Sequence, residues 1–293
     1  MKSLFSEFSY GFALTNEMVG VSNLQVAPIF PSLIEEGKRG VGYDVKLDAP
    51  GVPLFLQFKR SEFMVRGNAR EKQLEPSLNV PFHRFPITPA NESLQHASLF
   101  ELDQTPNLVF YVAPRFHRVE HLNTAWSSGR VAAGSIFVRP QDIGPFHDDA
   151  QHTVAFDDVS SFVCSEPSPV DSFNLREVAE LLQASIEKED RPVRALVDEW
   201  VEIVDRAPLE AEHKERMWRK DRDYQDLPRA LSHWPALGRE TGSRALSISR
   251  GLIEPLPIRK PKEVEPNVAK LLKIADQSRL NFEAQFFVVQ DRV

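Results

Sequence analysis

The stretch Gly42–Phe63, GYDVKLDAPGVPLFLQFKRSEF, decides how this chain is read. Two apolar-rich segments flank a Pro/Gly turn, and each carries polar residues in a strand-like pattern: Asp44 and Lys46 in the first, Gln57 and Lys59 in the second. Side chains alternate across a strand, so Gln57 and Lys59 leave one face while Leu54, Leu56 and Phe58 leave the other. In the first segment Tyr43, Val45 and Leu47 share the face opposite Asp44 and Lys46. An antiparallel hairpin with Asp44 opposite Gln57 sets Val45 against Leu56, Tyr43 against Phe58 and Leu47 against Leu54. That register makes one face apolar and gathers Asp44, Gln57 and Lys59 on the other, with opposed Cβ atoms roughly 4.5–5.5 Å apart. A slip of one residue would mix the two sets, so the apolar pattern favours this pairing.

A carboxylate, an amide oxygen and an ammonium on one face suit metal-assisted phosphodiester hydrolysis. Mg²⁺ takes hard oxygen ligands and keeps several waters. It can polarise a phosphoryl oxygen and acidify a bound water, while an ammonium steadies the developing negative charge. The plainer alternative is a solvent-facing hairpin, the usual fate of polar residues at alternate strand positions.

The elements on either side weigh against that alternative. An N-terminal segment that could pair as a strand is followed by apolar residues at helical spacing, with Pro28 and Pro31 limiting the helix to about Ser32–Glu36. Two strands are expected near 42–48 and 54–60, then a long, partly irregular connection over 62–88. ANESLQHASLFELDQ reads as a helix with Asn91 as its cap, and NLVFYVAP as a strand buried on both faces. A helix at 116–127 and short strands at GSIFVRP and HTVAFDD follow. Composition shifts at SEPSPVDS, which separates an α/β region, 1–165, from a mostly helical one, 172–293. In the latter, helices are expected at 174–189, 192–206 and 265–280, and the apolar AQFFVVQ is placed to return to a sheet.

With that order in place, GYDVKL and LFLQFKRS resemble the paired strands of the PD-(D/E)xK nucleases of restriction-endonuclease-like fold. SLQHASLFELDQTPNLVFYVAP resembles the helix and strand that follow them in that superfamily. The resemblance covers roughly residues 20–140. It implies a mixed sheet flanked by helices, with Asp44 as a metal ligand, Gln57 in the usual acidic position, and Lys59 orienting water or stabilising the phosphorane. Gln57 gives a Q-x-K variant, known in some branches of the superfamily. Glu36 or Glu35 matches the acid carried by the first helix, with Glu36 preferred because Ile34 then faces the core beside Leu33. The resemblance further implies Mg²⁺ (or Mn²⁺) as cofactor, DNA as substrate, and restriction or anti-phage defence as the setting. The alternative it leaves open is an inactive nuclease-fold protein that binds nucleic acid or scaffolds a larger complex.

Other features are less specific. Arg60, Arg66, Arg70 and Lys72 follow the hairpin and can form a phosphate-binding edge. His96, with Gln95 beside it, can face the site from the next helix, contact a phosphate or simply pack. His117 and His121 stand at i, i+4, a metal-binding spacing that lacks a third ligand at a telling distance. HKERMWRKDR interleaves Trp218 with basic residues, yet its acidic neighbours favour a salt-bridged surface helix.

Bulk properties set the frame. The 293 residues carry a net charge of −7, which argues against a surface coated uniformly for nucleic acid. The single cysteine, Cys164, excludes an internal disulfide and a thiolate metal cage, so a cytoplasmic setting is expected. Neither a signal peptide nor a membrane span is read from the sequence. A P-loop, G-x-G-x-x-G after a strand and G-x-S-x-G are all missing, which leaves Walker and serine-hydrolase chemistry without support. A protein partner supplying specificity or activation, or a homo-oligomer, fits the absence of any visible target-recognition motif.

Overall fold

The computed structural model describes residues 1–20, 47–103, 107–165, 167–230 and 265–290, with side chains at 19–20 and 221–230 set aside. In chain order the elements are α1 (Glu7–Gly20), β1 (Val52–Phe58), β2 (Glu62–Met64), α2 (Arg70–Leu74), β3 (Phe82–Ile87), α3 (Gln95–Leu102), β4 (Leu108–Pro114), α4 (Val119–Ser127), β5 (Ser135–Val138), α5 (Pro140–Ile143), β6 (His152–Phe156), β7 (Ser161–Val163), β8 (Ser168–Pro169), β9 (Ser172–Phe173), α6 (Leu175–Lys188), α7 (Val193–Ala230), α8 (Pro266–Phe282) and β10 (Gln285–Val289). The class is mixed α/β, as expected from the sequence.

Two five-stranded sheets form the frame, one ordered β10-β1-β4-β5-β9 and the other β2-β3-β6-β7-β8. The first is mixed: β1 runs parallel to β4 and antiparallel to β10, and β5 is antiparallel to β4 and β9. The second is antiparallel throughout. β4 is buried along its whole length, as its unbroken apolar run predicts.

Each face of the mixed sheet has its own core. Phe55, Val109, Tyr111, Ile136 and Val138 point toward α7 and α8, where they meet Trp200, Val204, Ile274 and Phe282. Leu54, Leu56, Phe110, Val112 and Phe137 point the other way, toward Tyr10 and Leu14 of α1 and Val178 and Leu182 of α6. α7 buries Val193, Val197, Trp200, Val204, Ala207 and Ala211, a three-and-four spacing that keeps one stripe turned inward. α6 begins with a capping box: Asn174 Oδ1 accepts from the Arg176 and Glu177 amides at 2.9 and 3.1 Å, and the Glu177 carboxylate accepts from Asn174 N at 2.7 Å.

Several expectations are corrected. The N-terminal segment is helical, because Tyr10, Ala13 and Leu14 recur at helical spacing and need one buried face. The 62–88 connection contains β2, α2 and β3; β2 and α2 are too short to carry a clear period, and Pro86 interrupts the strand pattern of β3. Asn91 does not cap α3; its N-cap is Leu94, which makes no side-chain cap bond. The proposed hairpin register is excluded, since both edges of Leu54–Leu56 are already occupied, by Phe287–Gln285 on one side and Leu108–Phe110 on the other. Leu47 and Ala49 instead accept backbone hydrogen bonds from Arg194 and Val193 at 3.0 Å each. The 165–172 boundary does not divide two cores: β10 belongs to the sheet of β1, and α7 and α8 complete the core of that sheet.

Candidate functional site

Lys59 lies one residue past β1, and its amide donates to Val112 O at 2.9 Å, continuing the parallel ladder. The alternation read from the sequence holds here. Leu54 and Leu56 serve one core and Phe55 the other, so Gln57 and Lys59 follow Phe55 toward α3 and α8. Neither is solvent-facing: Gln57 is 3% exposed and Lys59 8%.

Around the Lys59 ammonium the chain builds a polar chamber from three distant segments. Nζ donates to Gln95 Oε1 at 3.1 Å and sits 5.6 Å over the Tyr111 ring. Gln95 Nε2 donates to Phe282 O at 3.2 Å and to Glu283 Oε2 at 2.8 Å. Glu283 ends α8 in the left-handed region, φ 50° and ψ 30°, and turns the chain into β10. Its carbonyl accepts from Gln57 Nε2 at 3.4 Å, whereas Gln57 Oε1 is buried with no hydrogen-bond partner among the described residues. Such an orphaned acceptor costs on the order of 1–3 kcal/mol unless something meets it. From the other side, Glu7 in the first turn of α1 accepts from Arg60 N at 3.4 Å. α1 can come this close because Gly11 lies against Phe58; a Cβ there would stand 2.6 Å from the ring.

Burial pulls the Lys59 pKa below its usual value, against the opposing pull of the Glu7 and Glu283 carboxylates. A lysine so placed releases its proton more readily than a surface lysine and still presents positive charge to an anion. The location also fits ligand binding, since the crevice at the carboxyl ends of parallel strands is where open α/β sheets hold their ligands.

The sequence-derived candidates fare unevenly. Gln57, Lys59 and Gln95 come together. Asp44, Glu35 and Glu36 lie outside the described residues. His96 is not a phosphate contact: its ring is buried, Nε2 donates to Gly144 O at 2.8 Å, and Nδ1 pairs with Tyr111 Oη at 3.0 Å. Because a carbonyl can only accept, Nε2 carries the proton and the Tyr111 hydroxyl donates to Nδ1. Burial pushes the His96 pKa down to about 4, so the ring is neutral near neutrality. Lys72 is committed to the carbonyls of Pro76 and Leu78 and is poorly placed to serve a phosphate edge, whereas Arg60, Arg66 and Arg70 are exposed. The His117 ring stacks on Phe63 at 4.4 Å and meets His121 edge-on at 6.0 Å; among the described residues no cluster of three metal-ligating side chains is found.

Glu283 and Glu7 were missed. Each reaches Lys59 from more than 50 positions away in the sequence, and neither belongs to a recognisable motif. The only available signals were the strand-like AQFFVVQ directly after Glu283 and the apolar spacing of α1 directly after Glu7. Comparisons with family models, curated proteins and solved structures return no match. The site's chemistry therefore stands on its own residues. In addition, no helix among the described residues is long and apolar enough to cross a membrane.

Proposed function

We propose that this protein is a metal-dependent nuclease that hydrolyses phosphodiester bonds, with DNA as substrate and restriction or anti-phage defence as the setting. The observation that carries the reading is the pairing of a buried, depressed-pKa Lys59 with a buried Gln57 whose Oε1 has no partner among the described residues, at the end of a parallel strand pair. The orphaned oxygen is a ligand that Mg²⁺ accepts, and the Glu7 and Glu283 carboxylates supply negative charge around the neighbouring Lys59. Asp44, with Glu36, is the sequence-expected source of the carboxylate ligands. Bound there, Mg²⁺ or Mn²⁺ would polarise the phosphoryl oxygen and acidify water.

The chain's own groups divide the rest of the work. Lys59 Nζ, held by Gln95 and the Tyr111 ring, sets a fixed positive charge where negative charge develops on the phosphoryl oxygens. Its lowered pKa also lets it hand a proton to the leaving oxygen or orient the attacking water. Glu283 fixes the Gln95 amide and thereby the position of Nζ. Exposed Arg60, Arg66 and Arg70 offer phosphate contacts that carry no sequence information.

One observation favours the inactive alternative. The Lys59–Gln95–Glu283 hydrogen bonds form an unbroken chain that could serve the fold alone. A cleavage assay on plasmid, linear duplex, single-stranded DNA and RNA with Mg²⁺ or Mn²⁺ separates the two. Nuclease function requires metal-dependent cleavage by the wild type that is lost in Asp44→Ala and Lys59→Ala. Cleavage that persists in both variants sinks this site; nucleic-acid binding without cleavage, insensitive to Lys59→Ala, supports the inactive protein.

A further inference from the structure

A second concavity of about 230 Å³ lies behind His96, between α3, the Pro145–His147 segment and α7. Its walls are rich in rings: His96 and Phe100 from α3, Phe146 and His147 from the segment after α5, and Trp218 from α7. Phe146 sits 4.7 Å from the His96 ring, and His147 sits 6.2 Å from Trp218. Both pairs are ring-on-ring contacts within the lining, so the walls present aromatic surface on which an aromatic occupant gains ring contacts on top of burial.

Charge narrows the class further. Lys214 on the lining is gripped by both Glu101 oxygens at 2.6 and 2.7 Å. Arg219, beyond it on α7, is held by Glu215 at 2.7 Å and Asp149 at 2.9 Å. A charged ligand would have to break one of these pairs, so the space suits a neutral one. Polar selection falls to the Thr88 and Ser93 side chains on the lining; Ser93 Oγ already accepts from Gln95 N at 3.2 Å, which leaves its proton to donate. The volume lies just below the ~300 Å³ at which drug-sized pockets begin, enough for one ring system.

We infer that this pocket binds an uncharged, flat aromatic heterocycle the size of a nucleobase. This goes beyond the nuclease reading and does not rest on it. The helix that forms one wall also carries Gln95, so the occupant would lie one helical position from the group that holds Lys59.

Isothermal titration of the full chain with adenine, cytosine, adenosine and cytidine tests the assignment, with cyclohexanol as an apolar, non-aromatic control. At least one base or nucleoside should give saturable heat. Its affinity should fall tenfold or more in Trp218→Ala, which removes a half-exposed wall, and in Ala97→Phe, which fills the space. Should Ala97→Phe fail to fold, the Trp218→Ala comparison carries the test alone. Competition by a short single-stranded oligonucleotide upholds the site and assigns it to a base within a strand; indifference to the oligonucleotide upholds it for the free compound. The inference is overturned by no saturable heat with any base, as when the chain's own residues fill the pocket. Equal affinity for cyclohexanol, or unchanged affinity in both variants, overturns it as well. Cleavage plays no part in the readout, so failure here and failure of the nuclease reading are told apart.

Discussion

The two ends of α3 each hold a buried charge, and they hold it differently. At the C-terminal end Asp103 is fully enclosed, and Arg139 grips it through Nε at 3.1 Å and Nη2 at 2.6 Å while Gln141 N donates at 3.2 Å. At the N-terminal end Lys59 meets the neutral Gln95 amide, and the neighbouring Gln57 Oε1 has no hydrogen-bond partner among the described residues. A charge matched on every side serves the fold. One held beside an unmatched acceptor fits the working site proposed above. The contrast can be broken at either end.

The largest effect belongs to the matched end. Even with Arg139 in place, burial pushes the Asp103 pKa up, so the carboxylate depends on its partner. Arg139→Met should cost about 3–5 kcal/mol in urea unfolding by stranding that charge. A loss below about 1 kcal/mol would mean that water or other donors satisfy the carboxylate in place of Arg139.

Next comes pH. Burial holds His96 and His83 at a pKa of about 4, against an ordinary value of 6.5. Between those values the unfolded chain binds more protons than the folded one, so stability is complete above about pH 6.5 and drains as pH falls toward 4. Each histidine contributes up to ~3 kcal/mol to that slope. Unfolding midpoints measured across the window should fall less steeply in His96→Gln than in the wild type.

Gly144 presents the His96 acceptor from φ 84° and ψ 172°, a region open essentially to glycine alone. Gly144→Ala should cost roughly 1–3 kcal/mol in the same unfolding experiment. No measurable loss would show that the loop relaxes without strain.

The smallest stability effect belongs to the unmatched end. Replacing a desolvated ammonium by an apolar chain of similar length removes a burial penalty. Lys59→Met should change stability by no more than about 1 kcal/mol, the relieved burial of the ammonium offsetting the Gln95 Oε1 left without its donor. A cost of several kcal/mol at Arg139 against a change near zero at Lys59 is the sharpest form of the contrast.

What could be read from the sequence followed the range of the interactions involved. The facing of Gln57 and Lys59 was legible because strand alternation is local, and α3, β4 and the return of β10 were legible from apolar patterning. The register was not. β1 takes its antiparallel partner from Gln285–Val289, more than 220 residues on, and no local signal ranks that strand above a neighbouring one. The second sheet was missed because β2, β7 and β8 are two or three residues long, too short to carry a period. Glu7 and Glu283 join the site only once α1 and α8 have packed, so their role is a product of tertiary structure.

The central claim is that Lys59 is buried for chemistry and not for stability. One paired measurement on wild type and Lys59→Met tests it most directly: unfolding free energy by urea, and cleavage of plasmid DNA with Mg²⁺ or Mn²⁺. The expected result is stability retained to within about 1 kcal/mol with cleavage abolished. A loss of several kcal/mol in stability with cleavage preserved would contradict it, and Lys59 would then be a structural residue.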